Sequence, residues 1–220
     1  MSIPPPPPTL DYAHTPGYTP PPPPPTTGPF SHQNYLVRRK VMKLFGGAFH
    51  VYDPAGQLIG YSKMKAFKFK EDVRLYTDES MQRELLTIQA RSIIDFGASY
   101  DVHDAFANQK VGALRRRGWK SMFKDEWLIL DAHDREIGKI QEDSAFKATI
   151  RRFVEFAAVL FPQKYTVTVM NQPVAVFKQN FNPFVYKLNV DLTQDPNGQL
   201  DRRLAVAAAL MMAAVEGKQG

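Results

Sequence analysis

Residues 200–216 (LDRRLAVAAALMMAAVE) form a helix-length stretch that is apolar on every side, and a chain in water must hide such a helix completely. At about 1.5 Å rise per residue the unbroken apolar run 204–215 spans about 18 Å, short of the roughly 30 Å hydrocarbon layer of a bilayer. The segment is expected in a protein core rather than across a membrane. Alanine occupies positions 205, 207, 208, 209, 213 and 214, so the rod is thin and backbone can approach it from all sides. Something has to wrap around it.

What precedes it repeats one pattern: an apolar strand, a polar turn with Asp or Asn, and a second apolar strand often ending in Gly. The copies are 51–60 (VYDPAGQLIG), 102–112 (VHDAFANQKVG), 130–138 (LDAHDREIG) and, more weakly, 169–176 (VMNQPVAV). Asp, Asn, Pro and Gly suit the turns, while Val, Ile, Leu and Tyr suit the flanking strands. Four hairpins imply at least eight strands. Their irregular spacing argues against a solenoid of fixed period and for one closed or nearly closed sheet curled around the C-terminal helix.

With 220 residues and 44% hydrophobic content the chain can bury a substantial core, and one domain is expected. There is no cysteine, which removes disulfides, thiolate metal sites and cysteine nucleophiles together. The N-terminal stretch has no basic region followed by an apolar segment, so a cytoplasmic location is the expectation, with peripheral attachment to a membrane allowed. Thirteen of the 18 prolines lie in residues 1–29, where Asp11 is the one charged side chain. This stretch is expected to be a disordered polyproline arm, either a spacer or a ligand for a proline-binding domain through residues 4–25. The folded domain is expected over 30–220.

Within that domain, 35–41, 48–52, 95–101, 165–170 and 184–191 read as strands, and 84–94 fits strand or helix equally. Residues 63–70 (KMKAFKFK) alternate, with a bulge near Ala66 or Phe67 needed to keep one basic face. Ser144 looks like the cap of a helix over 145–160 that Pro162 ends. Residues 195–198 (DPNG) form the turn that releases the chain into the last helix.

This order of pieces resembles the LURP-one-related and phospholipid-scramblase-like proteins. The resemblance is carried by the strand-turn-strand units, by 90–95 (ARSIID), by 111–114 (VGAL) leading into Arg115, Arg116 and Arg117, by 181–184 (FNPF), and by the Ala-rich terminal helix. It implies a mainly β domain, a closed barrel of about twelve strands around the central C-terminal helix, as in the tubby C-terminal domain. A proline-rich leader is also common in the scramblase branch. Scramblases of this family further imply an acidic calcium-binding stretch before the helix. Asp191, Asp195 and Asn197 are the candidates here, but the spacing is not that of an EF-hand loop and no bidentate Glu closes it. A turn plus a helix cap explains the same residues, so no resident cofactor is expected.

Catalytic signatures are thin. No Gly-x-Ser-x-Gly, phosphate loop or His-Glu-x-x-His occurs, and the chain is expected not to be an enzyme. Asp-x-His-Asp occurs twice, at 101–104 and 131–134, and if the two turns met, His103 and His133 with their carboxylates could hold a metal. Both copies are expected at hairpin tips, where Asp and His are ordinary turn residues.

Cations are the better lead. The net charge is +6, and Arg115, Arg116, Arg117, Trp119, Lys120 and Lys124 place basic and aromatic side chains together, with Met122 and Phe123 among them. Such a mixture suits anionic phospholipid, cations for the head groups and Trp or Phe for the interface. Nucleic acid ranks lower because no recognised motif accompanies the charge. A solvated basic turn with Trp119 tucked into the barrel explains the same residues. The expected function is a non-enzymatic domain binding anionic phospholipid, at the inner face of the plasma membrane, with lipid scrambling as the extension that the resemblance implies. The alternative is a cytosolic scaffold or ligand-holding stress protein that recruits partners through the proline-rich arm.

Overall fold

The computed structural model describes residues 27–42, 46–64, 72–91, 99–117, 126–143, 163–180 and 185–216. Burial alternates along the strands, as in 164–169 (KYTVTV), where Tyr165, Val167 and Val169 are buried and their neighbours are not. Aromatic and β-branched residues fit such a pleated surface with one buried face. The strands are β1 (Asn34–Met42), β2 (Gly46–Tyr52), β3 (Leu58–Met64), β4 (Val73–Tyr76), β5 (Glu84–Ala90), β6 (Ser99–Asp104), β7 (Gln109–Arg117), β8 (Glu126–Leu130), β9 (Glu136–Glu142), β10 (Lys164–Val169), β11 (Gln172–Asn180) and β12 (Tyr186–Asp191). Each pairs antiparallel with its sequence neighbours, and β1 pairs with β12 from Asn34↔Asp191 to Arg39↔Tyr186. The sheet is a closed barrel, as expected, and closure removes the edge strands that would invite aggregation.

Inside runs the one helix among the described residues, α1 (Arg202–Glu216). Asp201 caps it, its carboxylate accepting from the Arg203 N–H at 2.8 Å and its carbonyl from the Ala205 N–H at 3.0 Å. Every side chain from Leu204 to Ala214 is 2% exposed or less, so the helix is hidden on all faces. Eight strands enclose about enough room for side chains alone; twelve leave space for a rod, and alanine keeps that rod thin. It packs against β1, β12, β7, β5 and β6.

The recurring strand-turn-strand unit has a shared geometry. In each of the hairpins β2–β3, β6–β7, β8–β9 and β10–β11 the register shifts by one residue near the turn, on the returning strand. The extra residues are Ile59, Val111, Ile137 and Val174, all aliphatic, and each packs on the core. The residue after the bulge is Gly60, Gly112, Gly138 or Ala175. β4–β5 repeats this with Leu85 extra and Leu86 after it, a fifth copy in which leucine replaces the glycine. The aliphatic bulges thus cluster at the hairpin end of the barrel, packed against the core.

Gly138 shows why the small residue is needed. A Cβ there would lie 2.2 Å from the Thr168 carbonyl oxygen, and one at Gly112 would lie 2.4 Å from that of Leu130. Backbone cannot yield as a side-chain tip can, so Gly138→Ala is expected to cost about 1–3 kcal/mol, the usual range for overpacking. Urea denaturation measures it; an unchanged midpoint would show that β9 and β10 can separate freely.

Strand 84–94 resolves to β5 over its first seven residues. The helix expected over 145–160, the second half of 63–70 with its bulge, the start of 95–101 and the arm before residue 27 lie outside the described residues. The chain enters β1 at the hairpin end, where Phe30 is buried and the Leu192 N–H donates to the Gln33 carbonyl at 2.7 Å.

Candidate functional site

Because the strands run alternately up and down, the barrel has two unlike ends. One holds the five hairpin turns, the chain entry and the start of α1. Asp53, Asp78, Glu79, Asp104, Asp131, Asp134, Asp195 and Asp201 lie there, and cations at that end are mostly paired with them, as Arg135 is with Asp131 and Arg203 with Asp104 and Asp201, each at 2.6–2.7 Å. Toward the other end, where β1–β2, β3–β4, β5–β6, β7–β8, β9–β10 and β11–β12 connect, the strands carry Arg39, Lys40, Lys63, Arg115, Arg116, Arg117 and Lys164 against Asp72, Glu126, Glu142 and Asp143. Among the described residues, charge is therefore segregated along the barrel axis.

The arginine triplet is the end of β7 rather than a loop, so its side chains alternate. Arg115 and Arg117 point outward. The Arg115 Nε donates to Ser99 Oγ at 3.0 Å, and Arg117, 59% exposed, comes within only 3.8 Å of Glu136. Arg116 shares the inner face with Leu114 and stands opposite Trp127. Burial raises the pKa of Tyr100 on that face, and the charge of Arg116 opposes the rise. Trp119, Lys120 and Lys124 lie outside the described residues.

The two Asp-x-His-Asp motifs do approach each other, though not as two turns. Residues 101–104 belong to strand β6 and correct the expectation of a hairpin tip; 131–134 form the β8–β9 turn. Asp101 and Asp134 meet over two cations. Arg91 Nη2 donates to Asp101 at 2.6 Å and also to Asp134, while Lys110 Nζ lies 3.0 Å from Asp101 and 2.7 Å from Asp134. Burial pushes the Asp101 pKa up, but the hydrogen bonds and charges of Arg91 and Lys110 outweigh it, and the carboxyl sits below its ordinary value. The hydrogen bonds from Lys110 and then Arg91 lower that of Asp134 as well. His133 is exposed, its backbone N–H donating to Asp131 at 2.9 Å. Among the described residues no three His, Asp or Glu side chains are grouped to hold a metal ion.

Asp195 is fully buried. One carboxylate oxygen accepts from the Gln199 N–H at 2.7 Å; the other accepts from the Leu200 N–H at 3.0 Å and from Arg202 Nη1 at 2.9 Å. Asp191 accepts from the Thr193 N–H and hydroxyl at 2.9 and 2.6 Å, and Asn197 is exposed. Of the three candidate calcium ligands, Asp195 thus turns its oxygens onto the helix entry.

Sequence reasoning passed over Arg39. It shares the inner face with Tyr35 and Val37, its guanidinium carbon lies 5.8 Å from the Phe49 ring centre, and its Nε sits where a Gly47 side chain would be. Its Nε and one terminal nitrogen are buried with no hydrogen-bond partner among the described residues, and burial lowers its pKa. Period-two alternation from Tyr35 was the signal that could have found it.

A model of the LURP-one-related family matches residues 59–213, which takes in β3 through α1. No curated protein matches the chain.

Proposed function

The chain belongs to the LURP-one-related family, and we propose that its barrel is a non-enzymatic domain that binds anionic phospholipid surfaces with its cationic end. The observation that carries this reading is the segregation of charge along the barrel axis. Each Lys or Arg near an anionic surface contributes about 1 kcal/mol, and the effect fades within a Debye length of about 8 Å, so cations must gather at one end to act together. Arg115 and Arg117 point outward there, and Trp119, Lys120 and Lys124 follow them in the sequence. The opposite end is acidic and would be repelled.

Residues 27–33, which lead into β1, lie at that acidic end. In this reading the protein works at the inner face of the plasma membrane. No helix among the described residues is long and apolar enough to cross a membrane. Enclosure of α1 favours binding over transfer of lipid between leaflets.

Flotation of the full chain with vesicles tests the proposal. It should float with phosphatidylserine-containing vesicles and not with phosphatidylcholine alone. Arg115→Ala with Arg117→Ala should weaken partitioning about 30-fold, two cations at about 1 kcal/mol each. Equal flotation of variant and parent, or no preference for acidic vesicles, would overturn the reading.

A further inference from the structure

The seam where the last strand meets the first presents a second basic feature, on the side wall and apart from Arg115 and Arg117. In the β1–β12 ladder Arg38 stands directly opposite Lys187, and both are outward because Val37 and Leu188 are buried. On the other side Lys187 pairs with Asn180 and Lys178 with Asn189, which makes Lys178 the diagonal neighbour of Lys187. Like charges directly opposed on one sheet face are destabilising. Among the described residues no carboxylate pairs with any of the three. The nearby acids, Asp53 and Asp191, accept hydrogen bonds from Gln57 and Thr193.

These cations line a groove of about 650 Å³ that crosses β11, β12, β1 and β2, with Leu36, Val176 and Tyr52 adding an apolar wall. We propose that this seam groove is a binding site for a phosphate-bearing ligand. The Arg38 guanidinium supplies a planar fork that matches phosphate oxygens, and Lys178 and Lys187 supply point charges on either side. A bound phosphate would cancel the repulsion across the seam, which couples binding to closure of the barrel. The phosphate can belong to a free anion or to a phospholipid headgroup.

Lys187→Glu tests this without risk to folding, since it turns a like-charge pair into an attractive one and should melt at or above the parent. Pyrophosphate titrated calorimetrically into the full chain at low salt is one probe; vesicles containing phosphatidic acid are the other. A pyrophosphate affinity that falls at least tenfold in Lys187→Glu and in Arg38→Gln supports the site for a free anion. Loss confined to phosphatidic acid vesicles supports a headgroup. Binding of neither probe by the parent, or equal binding by parent and variants, overturns the proposal. The pair Arg115→Ala and Arg117→Ala should leave pyrophosphate binding unchanged, which separates failure here from failure of the cationic end.

Discussion

Ala208→Asp and Leu210→Asp are expected to leave no folded barrel at all. Both side chains are 1% exposed, in a helix enclosed by strand backbone and side chains on every face. A carboxylate placed there is cut off from water. The penalty for burying an isolated ion is several kcal/mol even after relaxation, and protonation only trades it for an unsatisfied hydroxyl. Set against a total stability of about 5–15 kcal/mol, and with added volume in a close-packed interior, either change consumes the margin. No rearrangement rescues the helix, because removing it would leave the barrel hollow. The expected readouts are insoluble expression and loss of the cooperative thermal transition by circular dichroism. Phe106→Asp is the control: Phe106 is 86% exposed in the β6–β7 turn, and its variant should melt with the parent. Soluble helix variants that melt like the parent would show that α1 is not the core.

What the sequence revealed, and what it hid, follows from the range of the interactions. The enclosed helix was legible because its apolar run has no polar face, a property of twelve adjacent residues. Four hairpins were legible because turn chemistry is local. The fifth was hidden: β4–β5 turns through residues 77–83, which hold neither Gly nor Pro, and Leu86 stands where the other copies have Gly or Ala. The glycines were noticed as endings of strands, but their purpose lies across the ladder, where the Leu130 and Thr168 carbonyls leave no room for a Cβ.

The candidate sites divide in the same way. Arginine clustering in 115–117 was visible, and strand alternation, once β7 is known to extend through Arg117, sends Arg116 inward. The meeting of Asp101 with Asp134 depends on Arg91, just past β5, and on Lys110 in β7, so composition alone could suggest a metal where the chain supplies its own cations. Arg38 and Lys187 are 149 positions apart and become neighbours only when the barrel closes.

Asp195 carries the second large effect. From the sequence it is a turn residue in Asp-Pro-Asn-Gly, but in the fold it is the counter-charge of Arg202, whose side chain is 3% exposed. Two arginines in the first turn of α1 oppose the positive end of the helix dipole. Arg203 is met by Asp201 and Asp104; Arg202 depends on Asp195, to whose carbonyl it also donates at 3.0 Å. Asp195→Ala would leave a buried guanidinium without its charge partner and two backbone N–H groups, of Gln199 and Leu200, without acceptors. The expected loss is about 3–5 kcal/mol, measured by urea denaturation. Asp195→Asn keeps one oxygen acceptor and should lose less. Replacing both partners by apolar residues, Asp195→Leu with Arg202→Met, removes the orphaned charge and should recover part of the stability, so the double-mutant cycle should be strongly non-additive. Additive losses would mean that the two side chains act independently and that the pair does not hold the helix entry together.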